Sequence, residues 1–278
     1  MKTASRSPAQ FDKLYLYCVL DNGEGKSFGP IGLAAPDRNV FTVSHDGMSV
    51  AASSVRGVSD ESVKAVSKKN LLAHDRVLQE IMKQGHTVLP IKFATIVGEE
   101  GDPRERDALE ERVRADVLQA RRNELRQLLT EVEGTQEVGI KALWKDLKPV
   151  YEEIREHHPE LSRLRRLVRQ RRRVSRDTAI RAGEMARDAL REKRSQEQRR
   201  ILASLIPLAR QVKRNPVFGD AMVTNAAFLV HPEEIGSGFD EAVVALKKEE
   251  EERGNLAIRY VGPLPICNFV NLRIALGT

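Results

Sequence analysis

Apolar residues along this chain follow two periods, and the switches between them mark its elements. Residues 14 to 20, Leu-Tyr-Leu-Tyr-Cys-Val-Leu, form an unbroken apolar run closed by Asp21-Asn22-Gly23, which predicts a buried strand. Val40–Val43 and Met48–Val55 flank His45-Asp46-Gly47, and Asp-Gly between two β-prone runs is the strongest short signal for a hairpin. A helix is expected from an N-cap at Asp60, with Val63, Val66, Leu71, His74, Val77, Leu78 and Ile81 on one face and Gly85 as its stop. The β-rich run from Thr87 to Val97 is broken by Pro90, which cannot donate to a central ladder and so marks an edge or a bulge. Residues 1 to 12 are polar and unpatterned and read as a flexible tail.

Asp102-Pro103 opens a second helix, carried by Leu109, Val113, Val117, Leu125 and Leu128 toward Gly134. Val138 to Trp144 is a short strand. From Lys145 the pattern is helical, with a break at His157-His158-Pro159-Glu160 because proline disfavours helix at the residue before it. Leu161, Leu164, Val168, Ala179, Ala182, Ala186, Ala189, Ile201, Leu205, Leu208 and Val212 then keep a narrow three-four spacing, the seam of a coiled coil or helical hairpin that Asn215-Pro216 would end. A final β-α-β unit follows: strand Ala221–Val230, helix Glu233–Arg253 and strand Leu256–Val261. The turn Gly262-Pro263-Leu264-Pro265 would stop it, before a brief apolar segment from Ile266 to Val270.

At 278 residues, 41% hydrophobic and 31% charged, the chain can bury a core and is expected to form two domains or one with a large insertion. No apolar run reaches the length of a membrane span and no secretory pattern opens the sequence, so a soluble cytoplasmic protein is expected. Cys18 and Cys267 both lie in apolar runs and read as buried reduced thiols. The six histidines show no metal-ligand spacing, and neither a nucleophile motif nor a dinucleotide fingerprint is present; no metal, no cofactor and no catalysis are expected. Gly25-Lys26-Ser27 ends like a phosphate-binding loop, yet the first glycine of that motif would fall on Leu20 and no helix can open after it, so a plain loop is the reading. Carboxylate runs such as Glu110-Glu111 and Glu249–Glu252 read as solvated helical charge.

Between Arg155 and Arg214 positive side chains exceed negative ones by about a dozen. The candidate basic surface is Arg165, Arg166, Arg169, Arg172 and Arg173, within the run from Arg163 to Arg176. Clustered arginine on a helix is also the electrostatic footprint of RNA or DNA binding, the alternative function for this chain. Without aromatics for base stacking, and with Glu156, Glu160, Asp177, Glu184, Asp188 and Glu192 nearby, a solvated or protein-facing helix is preferred.

Several dispersed segments together resemble the gas vesicle accessory proteins of the GvpF/GvpL family. They are Leu14-Tyr15-Leu16-Tyr17, the run His86 to Thr95, Val138-Gly139-Ile140-Lys141, Asn225-Ala226-Ala227-Phe228-Leu229-Val230, and Tyr260 through Val270. The chain departs from the family pattern at Ala94, where glycine is usual, at Val261, where threonine is common, and near Cys267, where an aromatic is common. The resemblance implies an α+β fold: an N-terminal ferredoxin-like α/β domain, and a C-terminal domain combining a long helical hairpin or coiled coil with a small β-α-β portion. Placed on this chain, these are residues 13–133 and 134–278, with the helical arm at 145–214 and the α/β portion at 138–144 plus 221–278.

The implied role is a non-enzymatic component required for gas vesicle formation, located in the cytoplasm and at the vesicle shell. It would bind the hydrophobic shell protein GvpA and other accessory proteins, with no small-molecule substrate. Candidate partner-binding or motif residues are Pro90, Phe93, Asn225, Phe228, Gly262, Pro263, Pro265 and Phe269. The physical expectation is that a sheet edge or groove, shaped by Pro90 and by the Gly262–Pro265 turn, receives the shell subunit.

Overall fold

The computed structural model describes residues 13–33, 38–55, 67–98, 106–169, 176–270 and 272–274. It is a mixed α/β structure with two antiparallel-rich sheets. The chain divides into two compact units, Met1–Gln136 with Leu264–Thr278, and Glu137–Pro263. The last segment therefore groups with the first unit, whereas the order of elements along the sequence groups it with the second.

In the first unit, β1 (Leu14–Asp21), β2 (Ser27–Gly29), β3 (Val40–His45), β4 (Met48–Ser54) and β5 (Val88–Pro90) form a sheet in the order β2-β3-β4-β1-β5, with β6 (Ile96–Val97) also on β1. The β3–β4 hairpin closes as its sequence predicts: His45 pairs with Met48, and Asp46 and Gly47 both take positive φ. Asp46 also accepts from Arg122 and, at 2.8 Å, from Arg126, so one helix is tied to the hairpin tip. The segment after Gly25-Lys26-Ser27 is not plain loop. Ser27 and Gly29 pair with Phe41 and Val40 as a short edge strand, which leaves no helix start for phosphate.

The run from Thr87 to Val97 lies along the free side of β1, in two pieces. Ile91 N–H donates to Tyr17 O and Asp21 N–H donates to Thr87 O; by strand alternation the nitrogen of Pro90, opposite Cys18, faces away from β1. Its missing N–H therefore removes no ladder bond. On that outer side Lys92 N–H donates to the carbonyl of Leu272, and Ile91 bridges Leu272 in parallel. Between the pieces the backbone turns at Ala94, which has φ +69°, and the Ala94 N–H donates to the Tyr15 hydroxyl at 3.1 Å. Left-handed φ is nearly free for glycine and costs alanine about 1 kcal/mol.

The Tyr15 hydroxyl, which accepts from Ala94, also hydrogen-bonds to Nδ1 of His74 at 2.9 Å. His74 lies on α1 (Lys68–Lys83), with Val77, Leu78 and Ile81 buried beside it, and its ring sits edge-on to Tyr15 and Phe93. The α1 cap is Ser67, accepting from Asn70 N–H; Asp60 lies outside the described residues. Leu71, expected inside, is exposed.

The single helix read between Asp102 and Gly134 is interrupted. After α2 (Arg106–Val113) comes a π-helical turn, Arg114–Gln119, and then α3 (Arg122–Val132). A wide turn adds a residue to the spiral, and both Val117 and Leu118 within it are buried in the core.

In the second unit, β7 (Gln136–Trp144), β8 (Gln211–Arg214), β9 (Met222–Val230) and β10 (Leu256–Leu264) form a sheet in the order β10-β7-β9-β8. The helices are α4 (Leu147–His157), α5 (Pro159–Arg169), α6 (Arg176–Ala203) and α7 (Gly238–Arg253). The predicted break falls at His158. The seam does not run on to Val212, however, because Pro207 ends it: α6 gives way to a 3-10 turn at Ile206–Leu208, and Val212 lies in β8 opposite Phe228. The segment 145–214 is thus not helical throughout. Ile154, Leu161, Leu190, Ile201 and Leu202 pack with Ile140, Trp144 and Phe228 in one core, so much of the helical layer covers its own sheet.

Charge is built into this packing. Glu250, expected to be solvated, is buried on α7, and Glu197 is buried on α6. Arg200 donates to both, and to Glu249 at 2.8 Å; Lys193 joins Glu197 at 3.2 Å to Glu153 at 2.6 Å. Burial pushes the Glu197 carboxyl up, but the hydrogen bonds from Arg200 and Lys193 outweigh it and hold it below its ordinary range.

Three outcomes follow from this packing. Ala94→Gly should raise stability by up to about 0.5 kcal/mol in urea unfolding, the relief of left-handed strain less the added freedom of the unfolded chain. Burial holds the His74 imidazole down to about 4 from 6.5. Since the unfolded state takes up the proton first, stability should fall as pH drops from 6.5 toward about 4, by on the order of 3 kcal/mol in total, and be unaffected above 6.5. His74→Phe should flatten the part of that slope above about pH 4.5, as followed by urea midpoints at several pH values. Arg200→Met should cost about 3 kcal/mol by stranding buried carboxylates, and adding Glu250→Leu should recover much of it in a double-mutant cycle.

Candidate functional site

The residues singled out by the sequence fall on both units. Pro90 is buried on the edge strand β5, and Phe93 is half-buried in the Tyr15–His74 cluster at ring-centroid distances of 6.3 and 5.7 Å. Pro265 is buried and Phe269 half-buried in the turn from Ile266 to Val270, where Phe269 and Val270 N–H both donate to Ile266 O. These four belong to the first unit.

In the second unit Phe228 is fully buried, edge-on to Phe239 at 5.2 Å, and serves the core. Asn225 closes the β8–β9 connection: its side-chain amide donates to Pro216 O at 3.1 Å, and its carbonyl accepts from Asn215 N–H at 2.7 Å. Only Gly262 and Pro263 are exposed, joined by a cis peptide bond.

These last two do not stop their strand, contrary to the sequence reading. β10 continues through them to Leu264, because an edge strand has a side on which the missing proline N–H opens no gap in the ladder. Gly262 is required by a close approach: a Cβ there would lie 2.7 Å from Cγ1 of Val138 on β7. Beside it Val261, though apolar, is 49% exposed. An apolar side chain standing out of an edge strand is the arrangement that invites a further strand, and β10 is the best site among the candidate residues.

The reading of both cysteines as buried holds for Cys18 and fails for Cys267. Cys18 is buried in β1, and burial pushes its thiol up and keeps it inert, but Cys267 is exposed in the turn after Pro265. Of the basic surface, Arg166 is exposed on α5; Arg172 and Arg173, and the side chains of Arg165 and Arg169, lie outside the described residues. Asp188, one of the expected partners of the arginines, pairs with Arg191 at 2.9 Å. Among the described residues no cluster of histidine, cysteine and carboxylate could hold a metal ion. No described helix is long and apolar enough to cross a membrane.

The buried carboxylates of the second unit were missed by the sequence reading, although a signal existed. Glu250 follows Val243 and Leu246 at helical spacing, and Glu197 lies between Leu190 and Ile201 on one stripe, so both stand on apolar faces.

Known proteins agree with this architecture. Gas vesicle protein F of a Nostoc species is 29% identical over 195 residues, covering 70% of this chain and 74% of that protein. Gas vesicle protein F2 of Halobacterium salinarum is 25% identical over 263 residues, covering 94% and 93%. The crystal structure of the gas vesicle protein GvpF from an Anabaena species shares the fold with a TM-score of 0.73 at 24% identity, over 94% of this chain and 99% of that one. The family described as gas vesicle synthesis protein GvpL/GvpF matches residues 13–271, and this chain belongs to that family.

Proposed function

We propose that this chain is a non-enzymatic accessory protein of gas vesicle formation that binds the hydrophobic shell protein GvpA, and other accessory proteins, while the shell is assembled. Family membership across residues 13–271 is the observation that carries this reading. Physical chemistry supplies the rest. A shell subunit with a gas-facing apolar surface is prone to aggregate before it is incorporated, and a partner that covers strand edges or apolar side chains suppresses that. On this protein β10 offers the fitting surface, an edge strand with exposed Val261 next to Gly262 and Pro263. Pro90 and Phe228, both buried, then act by shaping the sheets, and Phe93 by packing against Tyr15 and His74. The ferredoxin-like description of the first unit, the coiled-coil description of the helices and a place at the vesicle shell belong to the same proposal.

Co-expression with the shell protein tests it. The wild-type chain should keep the shell protein in the soluble fraction and co-purify with it. Val261→Lys, a charge on the edge strand, should reduce recovery by about tenfold while leaving the thermal melt unchanged, since charge on an edge opposes strand addition. Undiminished recovery with Val261→Lys would remove β10 from the proposal, and a wild-type chain that neither solubilises nor retains the shell protein would remove the assembly role.

A further inference from the structure

The second unit holds an open groove of about 580 Å³ between α4, α5 and α6, away from β10 in sequence and lined by other residues. Leu161 and the small residues Ala182, Gly183 and Ala186 form its apolar part, with Lys148 and Arg155 among its lining. The small residues continue a stripe whose next members, Ala189, Leu190 and Ile201, are buried in the unit's own core. Among the described residues, that face of α6 is buried at Ala189, Leu190 and Ile201 and only half-buried at Ala182 and Ala186.

Gly183 sharpens the point. It makes no turn, and a Cβ built on it would meet nothing within 4 Å, so no neighbour in the structure requires a glycine there. A glycine inside a helix costs about 0.5 to 1 kcal/mol relative to alanine. Flanked by Ala182 and Ala186, it leaves a shallow, backbone-lined trough about two helical turns long, with Ile180 half exposed alongside. The trough has the shape to receive another helix.

Charge decides which helix. The lining contains two cations and, among the described residues, no carboxylate. Among the described residues Arg155 pairs only with Glu152, at 3.6 Å, and no ion pair engages Lys148. A second copy of this chain seated here through the same face would bring the same two cations against these two, and like charges brought together in a poorly solvated contact oppose association.

We propose that this groove docks an amphipathic helix of a partner, one whose large apolar residues at i, i+3, i+4 and i+7 fill the trough and whose flanking carboxylates meet Lys148 and Arg155. The site is separate from β10 and does not depend on the identity of whatever binds there.

Two labelled synthetic peptides of about four helical turns, alike in a leucine stripe and flanked by glutamate in one and lysine in the other, test this against the full chain by fluorescence anisotropy. The glutamate peptide should bind at least about tenfold tighter than the lysine peptide, with the gap narrowing at high salt. Gly183→Leu, on an exposed position and with a better helix former, should keep or raise the melting temperature and weaken the glutamate peptide by about tenfold. Lys148→Glu with Arg155→Glu should invert the peptide preference, while Val261→Lys should leave it unchanged. Absence of binding by the glutamate peptide, equal affinity for the two peptides, or indifference to Gly183→Leu would each overturn the proposal. Self-association in sedimentation that Gly183→Leu abolishes would also overturn it, by making a second copy the occupant, as would RNA binding that Gly183→Leu abolishes.

Discussion

Strand β1 must be hydrogen-bonded along both sides while its side chains from Leu14 to Leu20 are buried, and the first unit is arranged to meet that requirement. A continuous apolar run can only be accommodated as an inner strand covered on both faces. One side is closed by β4 in a long antiparallel register with a single bulge at Tyr17. The other is closed by a segment that contains a proline and a left-handed alanine, and both are tolerated because of where they fall. The Pro90 nitrogen points away from β1, and the turn at Ala94 presents its N–H to Tyr15. Tyr15 thereby links sheet, connecting turn and helix in one chain of hydrogen bonds ending at His74. Burial favours the neutral imidazole at the end of that chain.

The second unit solves a different problem, that of packing an arginine- and glutamate-rich helical layer onto a sheet. Its answer is to place two carboxylates among the buried positions and bring Arg200 and Lys193 to them. Such pairs add little net stability compared with apolar substitutes, but removing one member is costly, so they hold α6 and α7 in one register. Arg200 and Lys193 are thereby engaged, whereas Arg166 on α5 stays exposed and Lys148 and Arg155 lie beside an apolar trough.

Membership of the GvpL/GvpF family and the shared fold fit a protein that works through surfaces. The two surfaces singled out here differ in kind. β10 offers backbone hydrogen-bonding groups and an apolar side chain to an extended segment, and the α4–α6 groove offers small residues and cations to a helix. The two recognition modes discriminate on different chemistry.

Period and punctuation in the sequence determined the elements that depend on neighbours near in the chain: the Asp46-Gly47 hairpin, the buried strand at Leu14, the helix break at His158, the helix–strand alternation after Met222, and the edge character of Pro90. The dispersed motifs, read together and in order, also determined the family. Tertiary structure decided what depends on residues far apart. It turned Val212 into a strand by offering β9 as a partner after Pro207 had ended the helix, let β10 run through Pro263 by leaving it at an edge, and assigned Gln136 and Leu264 as the limits between units. It exposed Cys267 and Leu71, and it buried Phe228, Glu197 and Glu250. The reason is the same in each case. Helical and strand periods report which residues share a face, whereas only the packing of one face against another determines whether that face is covered by core, by an ion pair, or by nothing in the chain itself.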